Sequence, residues 1–262
     1  METIRDRLWI WGHPAGSHNG WGGKGISVMS PCEGAHYIGA RNVFMVSFGG
    51  NMQLPFDRYS KCLESMRDVK FSIIGDCSSP AKGDSMGDLD EVIGQINRYK
   101  NVTGGILDDC FGPERLKVYT KEKLSEMNRR LKEGAGADAD MWCVLYEHQL
   151  ENDLGGRIDA FDGVTFWTWE ERNLANFKEN YEKLKKAAAS KRIMLGVYLY
   201  DYPNGHEMKA ENVIMQLEKY SKLLCDGEIE GIIFCSNTVM DVGYECVEET
   251  KRWIAENGDR PL

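Results

Sequence analysis

The residues with the most chemical potential in this sequence are carboxylates that directly follow short apolar runs. Asp108 and Asp109 close the run Gly104-Gly105-Ile106-Leu107, and Glu147 follows Met141-Trp142-Cys143-Val144-Leu145-Tyr146. Paired carboxylates suit glycoside hydrolysis: one, held protonated, donates to the leaving oxygen while the other attacks or activates water. Other runs end the same way, with Trp11-Gly12-His13, Asp76, Tyr146-Glu147-His148, Trp167-Thr168-Trp169, Tyr200-Asp201-Tyr202 and Ser236-Asn237. Flat rings such as Trp11, Tyr146, Trp167, Trp169, Tyr200 and Tyr202 can stack on the C–H faces of a sugar. His13, His148, Asp201 and Asn237 can hydrogen-bond its hydroxyls. The expected site is therefore Asp109, Glu147 and Asp108 as catalytic carboxylates, surrounded by these aromatic and polar groups.

Such residues must be positioned by a scaffold, and the runs themselves describe it. Strands are expected at 8–11, 43–48, 70–74, 104–107, 141–146, 163–167, 194–199 and 231–235. Their near-continuous apolarity fits parallel strands buried on both faces. Amphipathic helical stretches alternate with them at 30–40, 55–66, 88–99, 120–133, 173–190, 210–225 and 244–256. The segment 148–162 is short and contains Gly155-Gly156, so it has room for only a turn or two of helix. Eight β/α units in 262 residues predict one domain, residues 1–262, closed as a single (β/α)8 barrel of the α/β class. An open doubly wound sheet is the alternative. It would want a glycine-rich turn straight after the first strand, and Gly20, Gly22, Gly23 and Gly25 depart from that spacing. In a barrel, chemistry gathers at the C-terminal strand ends, which is where these carboxylates and rings fall. Because side chains alternate along a strand, only one of Asp108 and Asp109 is expected to face the pocket, with Asp109 preferred.

Composition narrows the partners. The net charge is −9 with acids and bases interspersed, so no basic stripe offers itself to nucleic acid. No apolar stretch is long enough to span a membrane, and the first residues lack a secretory pattern, so a cytoplasmic location is expected. The eight cysteines show no C-x-x-C spacing and read as reduced thiols. No cofactor is expected. The loop after the last strand is poor in glycine, and Lys24 and Lys82 stand in loops where they would be solvated. Oligomeric state is not encoded in any recognisable way.

The strand ends Ile106-Leu107-Asp108-Asp109, Leu145-Tyr146-Glu147-His148, Phe166-Trp167-Thr168-Trp169 and Leu199-Tyr200-Asp201-Tyr202 resemble those of glycoside hydrolase barrels. In architecture the whole chain is similar to a group of uncharacterised bacterial TIM-barrel proteins that themselves resemble glycoside hydrolases. The resemblance implies a small-molecule carbohydrate substrate and assigns no catalytic residue. The D-x-x-D-x-D-x-E run of chitinases is absent, so their substrate-assisted mechanism has no support from it. Two further functions fit the same residues. One is a metal-dependent lyase or isomerase, with His13, Asp109, Glu147 and Asp201 around a divalent ion. The other is a non-catalytic carbohydrate-binding barrel.

Overall fold

A computed structural model describes residues 1–79 and 86–262; Lys82 lies outside the described residues. Eight parallel strands close into a barrel: β1 (Leu8–Gly12), β2 (Asn42–Met45), β3 (Asp68–Ile74), β4 (Val102–Leu107), β5 (Asp140–Tyr146), β6 (Gly163–Trp167), β7 (Arg192–Tyr198) and β10 (Gly231–Cys235). Strand β10 lies between β7 and β1 and completes the ring, which settles the choice between barrel and open sheet. The loop after β7 carries a small antiparallel hairpin, β8 (Tyr200–Asp201) with β9 (His206–Glu207).

The helices are α1 (Pro31–Ile38), α2 (Asp57–Cys62), α3 (Leu89–Arg98), α4 (Pro113–Val118), α5 (Lys121–Ala135), α6 (Phe177–Ala187), α7 (Ala210–Cys225) and α8 (Glu245–Asn257). Local chemistry explains their ends. Ser30 and Glu33 form a reciprocal capping box before Pro31, and Gly39 ends α1 at φ +85°, a conformation that a residue with a Cβ adopts reluctantly. Helix α2 is shorter than its sequence pattern, and α4, which Pro113 opens, is an addition to it. The stretch 148–162 holds only short 3-10 turns, as its glycines imply. Among the described residues no helix is long and apolar enough to cross a membrane. No cysteine is paired.

Inside the barrel, tryptophans lie over glycines of the adjoining strand. A Cβ on Gly163 would stand 2.4 Å from the Trp142 ring, and one on Gly196 would stand 2.0 Å from that of Trp167. Strands β5–β6 and β6–β7 are hydrogen-bonded neighbours, so each missing side chain makes room for the indole beside it. The base of the barrel is polar. There Lys70 is buried and donates to Asp140 (2.7 Å) and Thr103 (2.8 Å), while Arg192 holds the second Asp140 oxygen at 2.7 Å. With every charge paired, this cluster closes the end opposite the site.

Candidate active site

At the C-terminal face the strand ends surround a cavity of about 470 Å³. Trp11 from β1 and Trp167 from β6 meet edge to face at 5.2 Å, and Tyr198 from β7 lies 5.1 Å from Trp167. Trp169 and Tyr202 stack nearly parallel, and Trp169 also meets Tyr146 and Tyr198 edge-on. The loop 13–29 returns over the barrel and supplies His18 and Trp21, which pack with Phe48 and against Tyr202. Tyr200 donates to the Trp21 carbonyl, and Asn19 and Ser27 exchange two hydrogen bonds across this loop.

Three carboxylates line the same cavity: Asp76, Asp108 and Asp109. Strict alternation admits only one of the last two, yet both face it. Strand β4 ends at Leu107, and Asp109 lies beyond it at φ +48°, so the chain has turned before the second carboxylate is placed. Asp108 is buried. Burial first, then the charges of Asp109 and Asp76, push its pKa well above the usual carboxylate range and favour the neutral acid. Asp109 accepts from the Tyr146 hydroxyl at 2.9 Å and from the Cys77 amide at 3.0 Å. Burial also works to raise the pKa of Asp76. Donors from Ser78, Ser79 and the Gly49 amide outweigh it, leaving this group below its ordinary value and ionised.

The two buried histidines of the wall, His13 and His18, are neutral. Burial lowers the His13 pKa to about 4, and lowers His18 further, with His13 adding to the effect. His13 Nδ1 lies 3.1 Å from the Val46 carbonyl, which can only accept, so the proton sits on Nδ1 and Nε2 is an acceptor. His18 Nδ1 contacts the Thr238 hydroxyl at 2.6 Å and the Tyr202 hydroxyl at 3.0 Å.

Of the residues expected from sequence, Asp108, Asp109, His13, Trp11, Tyr146, His148, Trp167 and Trp169 line the cavity. His148 is exposed at the rim and stacks on Tyr146. Four others do not line it. Glu147 turns behind the wall, where its oxygens accept from the Trp169 amide and the Asn173 side chain, both at 2.9 Å. Burial raises its pKa, but donors from His148, Trp169 and Asn173 prevail and keep it low. Asp201 accepts from the amides of Glu171 and Asn204 and organises the turn before β9. Asn237 is fully buried and clamps the His13 backbone on both sides, donating also to the Met29 carbonyl. Tyr200 lines a smaller neighbouring recess. The metal set of His13, Asp109, Glu147 and Asp201 is therefore not assembled. Among the described residues, the one trio of such groups close enough to share an ion is Glu171, Asp201 and His206, outside the cavity. Asp76 and Tyr202 also line the cavity from strand ends, whereas His18 and Trp21 come from the loop after β1, which the strand-end rule does not reach. Tyr198 and Phe48 gave no signal beyond apolarity.

No protein-family model matches the chain, and no curated protein matches it by sequence. Solved structures do match, and glycoside hydrolases are among them. A GH99 endo-alpha-mannosidase from Bacteroides thetaiotaomicron superposes with a TM-score of 0.61 at 10% identity, over 96% of this chain and 97% of that one. The catalytic domain of a hyperthermophilic chitinase from Pyrococcus furiosus gives 0.60 at 16% identity, over 88% and 84%. The PgaB glycoside hydrolase domain from Bordetella bronchiseptica gives 0.53 at 11% identity, over 88% and 92%. At these identities the likeness is one of fold: this chain has the architecture of glycoside hydrolase barrels.

Proposed function

We propose that this protein is a glycoside hydrolase acting on a small or terminal glycoside held in the aromatic cavity, with Asp108 and Asp109 as its working carboxylates. The observation that carries the reading is the pair itself. Two consecutive aspartates face one cavity, and burial together with its acidic neighbours favours the protonated form of Asp108. A neutral carboxylic acid in an apolar wall is suited to protonate the glycosidic oxygen as the bond breaks. Asp109, oriented by Tyr146 and the Cys77 amide, supplies negative charge opposite the positive charge that develops on the sugar ring. The rings provide stacking surfaces, and His13 Nε2 can accept from a sugar hydroxyl. Glu147 belongs to the support: by holding the Trp169 amide and Asn173 it sets the position of a cavity wall.

The test uses leaving groups. Asp108→Asn should lower turnover of mononitrophenyl glycosides by about 10²–10⁴-fold. It should largely spare dinitrophenyl glycosides, whose leaving group needs no proton. Asp109→Asn should impair both. Equal losses on the two leaving groups in Asp108→Asn would remove Asp108 from the role of acid. Binding of sugars with no turnover of any glycoside would indicate a carbohydrate-binding barrel instead. Product stereochemistry, read by NMR, tells whether Asp109 attacks the sugar directly or through water.

A further inference from the structure

We infer that the glycoside taken by this cavity carries a positive charge, as an amino sugar with a free ammonium group does. The sugar in this statement rests on the hydrolase reading above; the charge rests on the cavity wall alone. Among the described residues, no lysine or arginine lines the cavity. Arg115, which lies near Asp108, is spent on the backbone carbonyls of Gly75 and Asp76. His13 and His18 are buried and neutral, and His148, the third imidazole of the lining, stands exposed at the rim with its Nδ1 3.8 Å from the Glu147 carboxylate. Against them stand three carboxylates, of which Asp76 keeps its charge through four donors from Gly49, Ser78 and Ser79.

Around these acids stand the rings of Trp11, Trp167, Trp169, Tyr146, Tyr198 and Tyr202. Ring faces are electron-rich and attract cations, most strongly where water is excluded, and a cage of rings is a common way to hold an organic ammonium. Carboxylates with no cationic Lys or Arg beside them in the cavity wall, Arg115 lying behind it, add a second attraction of the same sign. An anionic sugar, such as a uronic acid, would stack on the same rings but meet repulsion from the acids. A neutral sugar would stack but would leave the acidic charge uncompensated. An ammonium beside Asp76 and Asp109 would answer the acidic charge there, while burial, the first cause of the raised Asp108 pKa, still holds that group as the neutral acid.

The test compares methyl glycosides of glucosamine, galactosamine and mannosamine with those of glucose, galactose and mannose, and with methyl glucuronide. Binding to the intact protein is read at pH 6 by indole fluorescence, since Trp11, Trp21, Trp167 and Trp169 all line the cavity. At least one amino sugar should bind about tenfold or more tightly than its neutral counterpart. That advantage should shrink in Asp109→Asn and on raising the pH until the amine is neutral. Equal affinity within every pair, no binding of any amino sugar, or preference for the glucuronide would overturn the inference. The two readings fail separately. Turnover of neutral glycosides without a preference for amines retains the hydrolase and removes the charge. Tight binding of an amino sugar that is never cleaved, alone or as an aryl glycoside, retains the charge and removes the hydrolase.

Discussion

Replacing Gly196 by alanine tests whether the barrel interior is built on tryptophan–glycine pairing. The new Cβ would lie 2.0 Å from one Trp167 ring carbon, 2.2 Å from a second and 2.4 Å from a third. Restoring even a tight 3.4 Å contact to the nearest atom requires a shift of at least 3.4 − 2.0 = 1.4 Å. The ring has little freedom to move. Its Nε1 donates to Thr165 at 3.0 Å, and Trp11 and Tyr198 pack against it. Overpacking of this kind costs about 1–3 kcal/mol, which for a domain of this size lowers Tm by roughly 3–10 °C. Thermal unfolding followed by circular dichroism measures it. The same alanine placed in a Trp167→Leu background should cost much less, because the space it needs has been vacated. The two substitutions would then be coupled rather than additive. An unchanged Tm in Gly196→Ala, or strictly additive losses in the double variant, would refute the pairing argument.

Three further outcomes are expected. The raised Asp108 pKa means that the folded chain binds this proton more tightly than the unfolded chain, so its contribution to stability is complete below pH ~3.9 and is lost as pH rises through the folded pKa. Asp108→Asn should therefore match the parent Tm near pH 4 and exceed it by a few degrees at pH 8, while losing activity. Tyr146→Phe removes a donor to Asp109; at about 1.5–3 kcal/mol for a hydrogen bond to a charged group, kcat/KM should fall roughly 10–150-fold with the fold intact. Asn237→Ala frees the His13 backbone and the Met29 carbonyl from a fully buried clamp, and should lower Tm by roughly 4–8 °C in a thermal melt.

The scaffold was legible because strands buried on both faces leave unbroken apolar runs, and all eight barrel strands fall on such runs. Run length misled at β2, which ends at Met45. Val46 and Phe48 are apolar for another reason, since Val46 is buried below the loops and Phe48 packs in the cavity wall. At the site, strand ends identified Asp108, Asp109 and most of the rings. The rule failed where backbone amides of the loop after β6 lie within reach of a carboxylate at a neighbouring strand end. Glu147 goes to Trp169 and Asp201 to Glu171 and Asn204, and nothing in their spacing distinguishes them from Asp109. His18 and Trp21 enter only because a long loop folds back over the barrel, a placement set by distant partners such as Tyr200 and Thr238.

The left-handed turn at Asp109 bears on how the protein can change over generations. Glycine is the residue most at ease at φ +48°, whereas the proposed hydrolase needs a carboxylate there. A lineage selected for heat resistance alone would gain by exchanging Asp109 for glycine, and would surrender the proposed chemistry in the same step. Asp108 lies under the same pressure, since an uncharged replacement relieves the burden of a buried acid. Two neighbouring positions on one strand end thus erode readily under selection for robustness and persist only where the substrate is present and its turnover matters.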